Sequence, residues 1–272
     1  MNTQRFPTRL FWAAAVAAAS LAAPAARADE PGKGATPRPI RALLITGGCC
    51  HDYKEQINIL SKGVSARARV EWTVVHEGGS SSNHRVSVYE QPNWAANYDV
   101  IVHNECFSAV TDKAFIEKAL APHRAGVGAV VVHCAMHTFH DLKTDEWREF
   151  LGVDTRGHGP QHPLEVKNLK PSDPIMKDFP SLWTTGNEEL YAINRLFPTA
   201  VALAQAPENG KQHTVIWTNT YGQGRVFGTT IGHNNKTMQD PVYLDLLTRG
   251  LLWSVGQLDE NGHPKPGYTA AK

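Results

Sequence analysis

Five apolar runs, each breaking off into histidine, constrain what this chain can fold into. Ile40–Thr46 leads into Gly47-Gly48-Cys49-Cys50-His51, Val70–Val75 into His76, and Asp99–Val102 into His103-Asn104-Glu105-Cys106. Ala129–Val132 leads into His133-Cys134-Ala135-Met136-His137, and Arg225–Gly232 into His233. Short apolar runs alternating with helical stretches specify an α/β fold built on a parallel sheet. In such a sheet the C-terminal strand ends share one edge, which is where open α/β folds hold their ligands. Imidazoles, thiols and a carboxylate are therefore expected to converge on one crevice.

The stretches between the runs fit helices. Tyr53–Ala68 places Ile57, Leu60 and Val64 on one face, and a helix capped by Thr111 or Asp112 turns Phe115, Ile116, Ala119 and Leu120 inward. Asp240 and Pro241 start the final helix, whose stripe runs from Val242 to Val255 and stops at Gly256. The second half is mixed. It reads as a short helix at Asp145–Leu151 and strands at His162–Leu169, Glu189–Ile193, Ala200–Ala204 and Thr214–Thr218. Pro171–Gly186 reads as irregular, and Gln257–Lys272 as a loose tail.

Arg5 and Arg9, the Ala-rich stretch Leu10–Ala23 and the small-x-small triplet Ala26-Arg27-Ala28 read as an export signal over residues 1–28. The stretch is too short and too weakly apolar for a stable membrane span, so a periplasmic or secreted protein is expected. A Pro/Gly linker over 29–39, one domain over 40–258 and a tail over 259–272 follow. The signal holds three arginines and no acid, so 27 basic and 26 acidic side chains become 24 and 26, a net charge of −2. No basic face speaks for nucleic acid or an anionic membrane as partner.

Cys49, Cys50, Cys106 and Cys134 all lie just beyond strand ends. Four cysteines in an exported chain of this size do not make a disulfide scaffold. Buried thiols, a bridge from Cys134 to Cys106 or Cys50, and a thiol–imidazole metal site all remain open. Among the histidines, His76, His84, His123 and His213 read as structural and His263 as solvated. His103 equally suits a core layer. His51, His133 and His233 stand out because imidazoles titrate near neutrality and exchange protons with substrates. His137, His140, His158 and His162 reach toward the crevice from loops. Glu105 is the foremost carboxylate and Glu189 the second. These donors would suit a divalent metal, zinc, manganese or iron, although no helical His-x-x-x-His signature accompanies them. Tyr53, Trp94, Phe107, Phe139 and Trp183 offer stacking faces for a sugar ring.

The block Thr214–Gly256, together with His51–Tyr53, Val131–His137, Arg156–Pro163 and Glu188–Tyr191 in that order, resembles the ThuA-like (trehalose utilisation) family. The resemblance spans Ile40 to Leu258. It implies a flavodoxin-like fold of the class I glutamine amidotransferase kind: a mostly parallel sheet with helices on both faces. It also implies carbohydrate metabolism, particularly of disaccharides and their oxidised derivatives. The expectation is an exported sugar-processing protein acting on a disaccharide or keto-glycoside by isomerisation, elimination or hydrolysis. His51, Glu105, His133 and His233 would supply acid–base groups, with Asn104, His137, His158 and Glu189 near the small carbohydrate substrate. Two other readings stand beside it: a non-catalytic sugar- or metal-binding module, and a cysteine hydrolase using Cys134. A working glutamine amidotransferase is not expected, because Cys134 lacks flanking glycines and His233-Asn234-Asn235 replaces the His-x-Glu of those enzymes. The mature chain is expected to begin at Asp29. N-terminal sequencing of protein secreted by a bacterial host checks this, and a chain still starting at Met1 contradicts it.

Overall fold

The computed structural model describes residues 1 and 37–270. The expected export signal lies outside them, Met1 apart, as does the linker before Pro37. Strands β1 (Ile40–Gly48), β2 (Val70–Glu77), β3 (Val100–Cys106), β4 (Gly128–Val132) and β11 (Gly224–Thr229) form the parallel half of one nine-stranded sheet. Strand order is β2-β1-β3-β4-β11, after which β10 (Lys211–Tyr221), β9 (Val201–Glu208), β6 (His162–Asn168) and β7 (Leu182–Glu188) extend the sheet antiparallel. The central strands are buried on both faces, which is why they read as unbroken apolar runs.

Alternation along each strand sorts its side chains into two layers. Ala42, Leu44, Val100, Val102, Val130 and Val132 face α1 (Tyr53–Ser65) and α5 (Pro241–Ser254). Leu43, Ile45, Ile101, Ala129 and Val131 face α2 (Lys113–Arg124) and α3 (Glu146–Leu151). Helices therefore cover both faces, as the resemblance implies. The caps are those the sequence specifies: Asp112 accepts from the Phe115 amide, and Asp240, ahead of Pro241, from the Val242 amide. Asp52 likewise accepts from Glu55 and starts α1 immediately after His51.

Two stretches differ from expectation. The second part of Pro171–Gly186 is not irregular but enters β7, where Trp183, Thr185 and Glu188 are buried. Its Pro/Ser-rich start masks the strand, because Thr and polar residues carry the alternation. The tail is not loose either. Arg69 donates its amide to the Tyr268 carbonyl at 2.8 Å and Ala68 bridges Thr269, so the tail docks at the entry to β2. A further pair, β5 (Val153–His158) with β8 (Tyr191–Leu196), forms a small antiparallel sheet beside the main one.

At the C-terminal end of β1 the chain needs glycine. Gly48 has φ +101°, and a Cβ there would fall 2.3 Å from the Cys106 carbonyl oxygen of β3. On the α2 side, His123 is fully buried, with Nδ1 on the Val127 carbonyl and Nε2 3.1 Å from His103 Nε2. Burial and the neighbouring His103 push its pKa down to about 3, against the smaller opposing pull of the Val127 carbonyl. Unfolding restores an ordinary imidazole near 6.5, so the unfolded state binds the extra proton between these values and stability rises with pH there. The melting temperature is expected to fall as pH is lowered from 7 toward 4, and less steeply in His123→Gln. Identical slopes for the two proteins in scanning calorimetry would contradict this.

Candidate functional site

Three of the strand-end histidines meet. His51 follows β1, His133 follows β4 and His233 follows β11, and parallel register delivers all three ends to one rim. Ring centroids lie 4.8 Å apart for His51–His133 and His51–His233, and 5.4 Å for His133–His233. Each contact is edge-to-face. One ligand-capable nitrogen from each ring lies within 4.8 Å of the others, so this cluster could bind a metal.

The backbone is shaped to bring the rings in. His133 has φ +44° and opens the turn His133–Met136 directly after β4. A non-glycine residue in the left-handed region is uncommon and costs energy. Its ring repays that by a short contact, with Nδ1 2.6 Å from the Thr230 carbonyl oxygen. A carbonyl only accepts, so Nδ1 carries the proton, and in the neutral ring Nε2 presents a lone pair. Gly232 precedes His233 at φ +141°, against Val132 and His133, where a Cβ would come 2.9 Å from Val132 Cγ1.

Residues of the β7–β8 corner complete the site. Glu188, fully buried, accepts three backbone N–H groups, from Gly232 at 3.0 Å, His233 at 2.8 Å and Asn234 at 3.1 Å. It thereby holds the segment carrying His233. Glu189 Oε2 sits among imidazoles, 3.2 Å from His233 Nδ1, 3.4 Å from His158 Nε2 and 3.5 Å from His133 Nε2. Tyr191 stacks on His133, His137 and His158, at 4.7, 4.4 and 5.1 Å between centroids. The side chain of His158 is 34% exposed against 1% for His133, so the crevice opens on the His158 side.

Electrostatics follow from burial in a crowd of imidazoles. The pKa of His51 is lowered to about 3 by burial and by the proximity of His133 and His233. His137 is lowered to about 3 by burial and by His140 and His158. Both rings are neutral at pH 7. Burial pushes the Glu189 carboxyl up, but the proximity of the His133, His158 and His233 imidazoles outweighs it and brings it to about 2. Glu189 is therefore a carboxylate throughout the physiological range. The site offers imidazole lone pairs around one fixed negative charge.

The other candidates are placed as follows. Glu105 is not brought to the crevice. It is fully buried on the α2/α3 side, where its Oε1 lies 2.9 Å from His103 Nδ1 and accepts from Tyr89 at 3.2 Å. Asn104 faces the other way and is also buried, donating to Gln56 at 3.0 Å, while Gln56 donates to the Gly232 carbonyl. It braces the His233 segment from below. His137 and His140 lie on the loop after β4, which Arg148 fastens by donating to the carbonyls of His140, Leu142 and Thr144. His162 pairs with Glu208 at 2.7 Å instead of reaching the crevice. His76 is exposed on edge strand β2. Of the expected stacking faces, Tyr53 lies beside His51 at 5.6 Å, whereas Phe107, Phe139 and Trp183 are core residues. Trp94 lines a separate cavity of about 610 Å³ against α2.

Cys134 is bridged to Cys106, and Cys49 to Cys50. The bridge takes away the thiol a cysteine hydrolase would need, and His133 spends Nδ1 on Thr230 instead of activating Cys134. As bridged, Cys134 presents no free thiol to a substrate. Glu188 and Tyr191 went unassigned by sequence reasoning. The run Glu188-Glu189-Leu190-Tyr191 was their only signal, and it does not say which carboxylate turns inward.

Residues 41–254 match the ThuA family, described as trehalose utilisation, and the chain belongs to that family. Membership associates it with a carbohydrate-related role. No curated protein matches the chain. Among solved structures it is similar to a ThuA-like protein from Parabacteroides merdae, at 20% identity and TM-score 0.67, covering 86% of this chain and 98% of that one. A ThuA-like protein from Bacteroides uniformis gives 17% identity and TM-score 0.66 with the same coverage, 86% and 98%. A β-galactosidase from Bacillus circulans gives 13% identity and TM-score 0.51, covering 84% of this chain but 32% of that one. At such identities the likeness concerns the fold.

Glu188→Ala leaves buried N–H groups without an acceptor, a loss of roughly 3 kcal/mol. A melting temperature several degrees lower and faster amide exchange at His233 and Asn234 are expected. Unchanged exchange there would show that Glu188 does not hold the segment.

Proposed function

We propose that the protein is an exported carbohydrate-processing enzyme that moves protons on a disaccharide or keto-glycoside, by isomerisation, elimination or hydrolysis. The observation that carries this reading is the position of Glu189, whose carboxylate touches His133, His158 and His233 in a crevice open on one side. A carboxylate that orients and charges an imidazole is the usual arrangement for general acid–base work. His158, the most exposed of these imidazoles, is suited to meet a substrate hydroxyl, and His133 and His233 line the floor. Tyr191, itself buried, stacks among these rings and holds their positions. The family's description supports a sugar as substrate. Export is supported by the Ala-rich N-terminal stretch and by the two disulfides, which suit an oxidising compartment.

The test is turnover of a panel of disaccharides and their keto derivatives by the mature chain. Glu189→Gln is expected to lower kcat by about 100-fold or more, as loss of an acid–base partner does, while circular dichroism stays the same. Sugar binding that persists in wild type and variant with no product from any substrate would favour the non-catalytic module instead.

A further inference from the structure

We infer that His51, His133 and His233 bind one divalent transition-metal cation of the zinc class, with Glu189 beside it at the open side of the crevice. The inference concerns the crevice of the proposed enzyme but stands on the donors alone. The fully buried His103 and His123 satisfy their nitrogens with protein partners. His103 pairs with Glu105 and His123, and His123 takes the Val127 carbonyl. His137 Nε2, His140 Nε2 and His213 Nδ1 lack partners as well, but among the described residues His51, His133 and His233 bring one ligand-capable atom each within 4.8 Å of one another. They pack edge to face at 4.8–5.4 Å between centroids, and His51 Nδ1 and His233 Nδ1 are buried without a hydrogen bond. His233 Nδ1 lies 3.2 Å from Glu189 Oε2, a charge contact outside hydrogen-bond geometry. Leaving buried polar atoms unpaired is costly. A cation shared by the rings turns that cost into ligation.

The surroundings have the features of a supported metal site. A ligating histidine ordinarily donates its other N–H to a carbonyl or carboxylate, which fixes tautomer and orientation. His133 does so to Thr230, at 2.6 Å. Glu188 fixes the backbone of His233 through three N–H bonds, and the Asp52 cap fixes the chain just after His51. With nitrogens at about 2.05 Å, a tetrahedral cation separates its ligand atoms by about 3.4 Å. The ligand atoms here all lie within 4.8 Å of one another, so closure draws the rings together by no more than about 1.4 Å.

Donor chemistry narrows the cation. Imidazole nitrogens suit zinc, iron, cobalt or nickel, whereas magnesium and calcium demand oxygen ligands that this cluster lacks. The neighbouring sulfurs are tied in disulfides and offer no thiolate. Three protein ligands leave a position free, the pattern of catalytic instead of structural zinc sites. Glu189 and His158 border that side.

Untagged mature protein, stripped with a chelator, then loaded with zinc and gel-filtered, tests this directly. One zinc per chain is expected by elemental analysis, and cobalt in its place should give visible d–d bands that zinc abolishes. His51→Ala and His233→Ala are each expected to weaken zinc by more than about 100-fold in competition with a chromophoric chelator, with folding checked by circular dichroism. His76→Ala and His263→Ala, both at exposed positions, serve as controls and should change nothing. Affinity that is lost with His76 or His263, or that survives removal of His51 and His233 alike, overturns the inference. Zinc bound at one per chain with no sugar turned over defeats only the enzymatic reading. Sugar turned over by protein that never holds metal defeats only this one.

Discussion

Parallel pairing of β1, β3, β4 and β11 is the constraint on which everything else rests. Side-by-side strands running the same way must end on the same rim, whatever follows them in sequence. Both faces of these strands are buried under helices, so their backbones are held rigidly and the residues just beyond inherit that rigidity. Three imidazoles separated by 82 and 100 residues along the chain are thereby placed within contact without any local motif.

The antiparallel half then supplies what the rim lacks. Strand β7 ends at Glu188, and the chain turns through Glu189 and Leu190 into β8 at Tyr191. Adjacent carboxylates split two tasks by alternation. Glu188 turns inward and holds backbone, while Glu189 faces the crevice and meets three imidazoles. Two disulfides flank the same place, Cys49–Cys50 next to His51 and Cys106–Cys134 next to His133, and Tyr53 packs with Cys49, Cys106 and Cys134 in a small cluster. The position of the rings is fixed from the sheet, the loop and the sulfur side together.

The strand ends and their histidines were legible in sequence because apolar runs and the residues after them survive without tertiary information. What sequence hid was parity. His103 and Glu105 alternate with Asn104 along β3, and a strand buried on both faces does not reveal from its sequence which residue faces which layer. Glu105 therefore looked like the site carboxylate, while its side chain lies among Tyr89, His103 and the α2 side. Glu189 was legible only as a second-ranked carboxylate in the run Glu188–Tyr191. Disulfide pairing was undecidable because it depends on Cα proximity, 5.3 Å for Cys106–Cys134, which only the fold provides. The family resemblance was legible across most of the chain and conveyed architecture; relatives at 17–20% identity share the fold, and the chemistry has to be argued from side chains.

The central claim is that three separate strand ends carry their imidazoles into one hollow. A crystal structure of the mature protein, with the electron density of the rings at residues 51, 133 and 233 refined freely, tests it most directly. The account requires the three rings around a common point, with centroids near the 4.8–5.4 Å found here and His133 Nδ1 on the Thr230 carbonyl. A structure with any one of these rings turned into a core layer or onto the opposite rim would contradict it.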